Sequence, residues 1–224
     1  MRIYWTFKEF PSFFRHRSAG WLSFGYIRTV MLEKLTGGMS YLTWRVLDVF
    51  FSHSSFSFSL GCRCVVQGRS IHIRAAFAGF LGDEKGLKEL ANTKGASGSK
   101  PCPHCKNIVS KSTLREAGTH EYFVTISAPS YADLDLHSDE TFWEMVDLLV
   151  RRAPCSSKKD LAHLTQALGL NYSPGTLLFQ PRLRSLFSPT KGWLWDWMHC
   201  LVSHGIGNQE LQFFTKAVCP TESH

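Results

Sequence analysis

Residues 77–107 read FAGFLGDEKGLKELANTKGASGSKPCPHCKN: an apolar run ending on Asp83-Glu84, a Gly/Ser/Lys loop, and two thiols spaced Cys102-x-x-Cys105. The apolar run has the composition of a strand entering a buried sheet. Glu84, Leu87, Leu90 and Ala91 then follow at helical spacing. A strand that stops at Gly82-Asp83 with a helix beginning at once gives Asp83 two readings. As the helix N-cap it accepts a backbone N–H, and Glu84 is favoured by the helix dipole. At the carboxyl end of a strand it projects into the crevice where α/β sheets bind ligands. The two roles are compatible.

The loop KGASGSK at 94–100 lacks the spacing of a phosphate-binding P-loop. Cys102-Pro-His-Cys105 is half of a zinc site: two soft ligands on one turn that need two more from elsewhere. A lone C-x-x-C also suits a redox pair, but the Pro/Gly-containing loop before it does not resemble the start of a thioredoxin-type helix.

Upstream, residues 54–61 alternate Ser with Phe and Leu, the period of a half-buried strand. Residues 62–66 continue it, Gln67-Gly68 makes a turn, and 70–80 form the return strand. Phe24, Ile27, Met31 and Leu35 predict a helix over 21–35, stopped by Gly37-Gly38. Ser40 can cap a second helix to about residue 51, with Leu42, Val46, Val49 and Phe50 inward. The pair is expected to form a helical hairpin.

Downstream, residues 122–126 read as a short strand, and Ser138-Asp139-Glu140 opens a helix whose apolar face is Phe142, Met145, Val146, Leu149 and Val150. Ser157 and Asp160 can cap a further helix over 161–168, stopped by Gly169. Residues 170–192, rich in Pro, Gly and Ser, predict a long connection. From 193 to 216 the sequence reads as a helix carrying Asp196-x-x-His199, with His204 further along. At i and i+3, Asp196 and His199 share a helix face, so the carboxylate can orient the imidazole, or else cap the helix beside a core histidine. Four segments result: a basic helical lead-in (1–53), a strand hairpin with the Asp-bearing strand and thiol hook (54–110), a helical insertion (111–192) and the D-x-x-H helix (193–224).

The whole net charge of +7 falls within residues 1–75, where ten Lys and Arg face only Glu9, Glu33 and Asp48. Such asymmetry favours a polyanionic partner, nucleic acid before membrane. Seven cysteines in no disulfide framework, and an N-terminus broken by Lys8 and Glu9, predict an intracellular, reducing location rather than secretion. No run approaches the roughly 18 apolar residues of a membrane span.

The order of strand–Asp83–helix, K-G-x-x-G-x-x-P-C-x-x-C and D-W-M-H resembles the catalytic region of cut-and-paste DNA transposases of the CACTA and Plavaka-like group. Asp83, Cys102-Pro103-His104-Cys105 and Asp196-Trp197-Met198-His199 carry the likeness, and Gly37-Gly38-Met39-Ser40 and Phe50-Phe51 look like its lead-in. The resemblance implies an α/β fold with an RNase H-like core, Asp83 as the second of three acids holding Mg²⁺, and a nuclear DNA partner. It further implies structural zinc on Cys102, Cys105 and His199, with His204 as a weaker fourth ligand and His120 or His104 as substitutes. Two departures predict an incomplete core that is inactive alone. The upstream Asp48 falls in a helix, and only Glu210 and Glu222 follow His199. The competing expectation is a non-catalytic, zinc-stabilised module that binds DNA or protein.

Overall fold

The computed structural model describes residues 2–15, 17–18, 21–53, 56–110, 123–125 and 130–195. Among the described residues the chain is mixed α/β, with four two-stranded sheets and a set of helices. Strands β1 (Arg2–Trp5) and β2 (Leu22–Tyr26) pair antiparallel. Helix α1 spans Gly38–Phe51. Strands β3 (Cys62–Val66) and β4 (Arg69–Ile73) form a hairpin ribbon. Strand β5 (Phe80–Gly82) runs into helix α2 (Glu84–Ala91). Strands β6 (Ile108–Val109) and β7 (Val124–Thr125) pair in parallel. Helices α3 (Asp139–Arg152) and α4 (Lys158–Leu168) follow, and strand β8 (Trp193–Trp195) returns to pair in parallel with β5.

Helices α2, α3 and α4 form where their sequences predict. Ser138 makes a reciprocal capping box with Thr141, and α3 buries Phe142, Met145, Val146 and Leu149 at i, i+3, i+4 and i+7. Ser157 caps α4 through the N–H of Asp160, and Gly169 ends it in the left-handed conformation. The strand expected near 124 is present as β7.

Six expectations are corrected. Residues 22–26 are a strand, not part of a helix: LSFGY carries Phe, Tyr and a glycine, which favour pairing with β1 over a helix. Only Thr29–Leu32 make one helical turn, so no helical hairpin forms. Helix α1 starts after Gly37, and its buried face is Ser40, Trp44 and Leu47, while Val49 stays exposed. Ser40 is a buried acceptor rather than a cap: its Oγ receives the N–H of Leu177 at 3.1 Å. The expected strand over 54–61 is irregular where described, and the return strand ends at Ile73 before resuming at Phe80. Finally, residues 193–195 are a strand and not the start of a helix.

The connection 170–192 is a core element. Its Leu170, Leu177, Leu178, Leu183 and Phe187 pack with Trp44 and Leu47 of α1, Leu87 of α2, the α3 face and Trp193. Two 3₁₀ turns, Leu177–Phe179 and Pro181–Leu183, carry most of these leucines inward. From Trp5 an aromatic chain runs through Phe58 and Phe51 to Phe77 and Phe80, with Phe80 stacked on Trp193 at 5.3 Å. Packing therefore accounts for much of the heavy use of Phe. Glycines set the approach of β5 to β8: Gly79 has φ +154°, and a Cβ there would stand 2.7 Å from the carbonyl of Gly192. That carbonyl accepts the N–H of Phe80 at 2.7 Å.

Candidate functional site

Asp83 sits one residue past β5, at the carboxyl end of a parallel strand pair whose register sets Phe80, Leu81 and Gly82 against Trp193, Leu194 and Trp195. Its Oδ1 accepts the N–H of Gly86 at 2.6 Å, which makes it the N-cap of α2. A Cβ at Gly86 would lie 2.8 Å from the same oxygen, so glycine there leaves the Asp83 carboxylate free to close the cap. Half-buried, Asp83 also lines an open groove of about 1070 Å³. Gly37-Gly38-Met39 form one wall; Glu84, Lys88, Asn92, Lys94 and Asn171 line the rest. Both sequence readings of Asp83 thus describe its position: it is a cap, and it stands at a crevice.

The far wall of the groove is held by polar contacts that sequence patterns do not reveal. Asn92 ends α2 in the left-handed conformation, and its Nδ2 donates to Thr176 Oγ1 at 2.5 Å and to Ser40 Oγ at 3.4 Å. The N–H of Asn171 donates to the Asn92 carbonyl at 2.7 Å, and that of Lys94 to the Gly169 carbonyl at 2.8 Å. Lys88 pairs with Glu84 one turn back.

The thiol turn lies apart from the Asp83 groove, between the 95–100 loop and the segment leading into α3. Cys105 bridges Leu136, the N–H of Lys106 donates to the Asp135 carbonyl at 2.7 Å, and the N–H of His137 to the His104 carbonyl at 2.8 Å. Asn107 fastens both ends: its Nδ2 reaches the Asp133 carbonyl at 2.7 Å and its Oδ1 receives the Asp135 N–H at 2.9 Å. Residues 104–107 are therefore clamped against 133–137.

Within this clamp the sulfurs of Cys102 and Cys105 are 3.1 Å apart. Burial and the neighbouring Cys102 push the Cys105 thiol up to about 12. A thiolate there needs a cation beside it. With Zn–S bonds of ~2.3 Å, tetrahedral ligands stand roughly 3.8 Å apart, so the pair fits two corners of a zinc site after a small opening. Burial, then the charges of Lys100 and Lys106, hold the His137 imidazole down at about 4, and burial lowers that of His104. Among the described residues, no group of three His, Cys, Asp or Glu comes together as a metal site. His199, His204, Asp196 and His120 lie outside the described residues, as do Glu210 and Glu222. The five described cysteines are all unpaired.

Asp48 lies on helix α1, not on a strand, and its Oδ1 faces Arg182 at 3.6 Å. No described helix is long and apolar enough to cross a membrane. Comparison of the chain with protein-family models, with curated proteins and with solved structures finds no match to any of the three.

Proposed function

We propose that the chain is part of the catalytic region of a DNA transposase of the CACTA and Plavaka-like group, with Asp83 as one acid of a Mg²⁺ site and structural zinc on Cys102 and Cys105. The observation that carries this reading is the parallel β5–β8 pair with Asp83 at its carboxyl end and an open groove beside it. Trp195 pairs with Gly82, and the residue bonded to Trp195 is Asp196. On this proposal Asp196 supplies a second carboxylate to the groove, a role beyond orienting His199. An RNase H-like core with acids on adjacent parallel strands is the arrangement the reading requires. Hard carboxylate oxygens suit Mg²⁺ and soft thiolates suit zinc, so the two ions would occupy chemically separate places. The ion's chemistry, when bound, is to activate an oxygen nucleophile and stabilise a leaving oxygen in phosphodiester displacement.

With Asp48 on a helix and facing Arg182, the chain alone is expected to bind divalent ions weakly and to leave DNA uncut. Mn²⁺ binding followed by paramagnetic resonance tests the acids: Asp83→Asn and Asp196→Asn should each weaken it by tenfold or more. If neither does, the acidic site is wrong. Mg²⁺-dependent nicking of plasmid that Asp83→Asn abolishes would show that the chain is active by itself. Zinc is tested by elemental analysis of purified protein. About one zinc per chain is expected, and Cys102→Ser and His199→Ala should each remove it.

The hydrogen bond from Gly86 favours a second reading, because it gives Asp83 a structural task without any metal. On it, the chain is a non-catalytic, zinc-stabilised module that binds DNA or protein. Mn²⁺ binding indifferent to both aspartate substitutions, together with one bound zinc, would select it.

A further inference from the structure

From Val49 to Gly82 the chain contains no Asp or Glu, while Arg63, Arg69 and Arg74 all fall inside that span. These three arginines lie on or directly beside the β3–β4 ribbon and are exposed, as is His72. Strand alternation separates the ribbon into two faces. At the foot of the first face Cys62, Cys64 and Ile73 are buried or half-buried and turn toward the body, while Val66, Arg69 and Ile71, nearer the tip of the same face, are exposed. The second carries Arg63 directly opposite His72. A Cβ at Gly61 would touch both the His72 ring and Arg74 Cγ, so these side chains gather at one place on that face. Arg74 Nε donates to the Leu60 carbonyl at 3.2 Å, which holds its guanidinium at the foot of the ribbon. Arg69 pairs with Val66 at the tip, on the opposite face from Arg63. Among the described residues, none of these arginines forms a salt bridge.

We propose that the β3–β4 ribbon is a duplex-DNA contact that enters the major groove, with Arg63 and Arg74 facing one phosphate backbone and Arg69 the other. Five-residue strands span roughly 17 Å, and a two-stranded ribbon fits a groove about 12 Å wide. Cations on both faces match the two phosphate walls of that groove, and no carboxylate on the ribbon opposes them. Between the arginines, the tip presents Val65, Gln67, Ser70 and Ile71, with Val65 72% exposed and Ile71 44% exposed. An amide and small apolar groups are what base edges and thymine methyls accept. The inference shares its partner with the transposase reading but rests on other residues, and it needs no metal at Asp83.

The test is fluorescence anisotropy of the full 224-residue chain with a labelled mixed-sequence duplex, in EDTA, across about 50 to 200 mM salt. Arg63→Glu/Arg69→Glu should lose at least tenfold in affinity, and its log K against log salt slope should flatten by about two. Lys158→Glu/Lys159→Glu, an equal charge change on exposed α4 residues, should lose less than threefold. Equal losses from both pairs would reduce the effect to net charge and overturn the proposal. Absence of wild-type binding at about 50 mM salt would overturn it too, as would tighter binding to anionic phosphatidylserine vesicles than to DNA. If the glutamate pair fails to fold by circular dichroism, Arg63→Ala/Arg69→Ala replaces it, with the same slope change expected. Loss of Mn²⁺ binding bears only on the acids and leaves this outcome untouched.

Discussion

The part of the molecule from Asp83 onward supplies most of the core, which Trp44 and Leu47 of α1 enter from the other side of the sequence, and holds Val146, Leu149 and Leu178 at 0% exposure. The part before it leaves Tyr26, Val65, Val66 and Ile71 in solvent and carries all of the net charge. Helices α2 and α3 and the 170–192 connection share one core, whereas the β1–β2 and β3–β4 pairs are narrow ribbons. A two-stranded ribbon buries at most one of its faces and has little independent stability. The contrast assigns stability to the core, α1 included, and surface chemistry to the two ribbons.

The largest effect that would break this contrast is a core truncation. Leu149→Ala should cost about 3–4 kcal/mol, because Leu149 is fully buried in the core cluster that α3 shares with the connection. A urea midpoint lowered at constant m-value would record it. A loss below ~1.5 kcal/mol would mean that the core is looser than its burial indicates.

Next comes Ser40→Ala, at about 1–3 kcal/mol, since it leaves the buried Leu177 N–H without its acceptor. The Ser40→Ala and Thr176→Ala pair in a double-mutant cycle should be non-additive, because both side chains meet Asn92 Nδ2.

Ser40 also shows where the sequence stops being legible. A serine two residues after a Gly-Gly pair has the pattern of an N-cap, and nothing local tells that a backbone N–H 137 residues away will need its oxygen. Helices α3 and α4 were readable because cap and apolar period agree within a single segment. The buried leucines of 170–192 were not, because they ride on 3₁₀ turns that have no 3.6-residue or two-residue period. Trp193–Trp195 has the apolar density of a helix start, and only the pairing with β5 makes it a strand. At the candidate site, the position of Asp83 could be read from the strand-to-helix break. The groove beside it could not, since Asn92 and Asn171 reach it through tertiary contacts.

A smaller effect tests how the connection is tied to α3. Arg184 grips Asp147 with both guanidinium nitrogens and lies 4.9 Å over the Trp143 ring. The hydrogen bond from Arg184, opposed by burial and aided by its charge, holds the Asp147 carboxyl below its usual value of 3.8. A depressed folded-state value means that the contribution is complete above pH 3.8 and is lost as pH falls through the lower folded value. With the pair partly open to solvent, Asp147→Asn should cost about 0.5–1 kcal/mol at pH 7 and nothing at the acid end of that window. Urea midpoints at pH 7 and pH 3 would display the convergence. Parallel curves at both pH values would deny the pair its part in holding the connection.

The smallest effect is the sharpest test of the division itself. Arg63 pairs across the ribbon with His72, both in solvent, and Val65 lies 72% exposed two residues on. Truncating either side chain removes little buried area, so Arg63→Ala and Val65→Ala should each shift stability by less than ~0.5 kcal/mol. Like-charge relief can even make Arg63→Ala slightly stabilising, because Arg63, Arg69 and Arg74 share a span without a carboxylate. Thermal unfolding at low salt is the measurement, since screening over a Debye length of ~10 Å at 0.1 M would hide so small a gain. A loss above 1 kcal/mol would show that the ribbon's outer face packs against the body, and its arginines would then be occupied rather than presented. A midpoint unmoved in protein alone, with DNA affinity reduced by the same substitution, would separate the ribbon from the core by function as well as by packing.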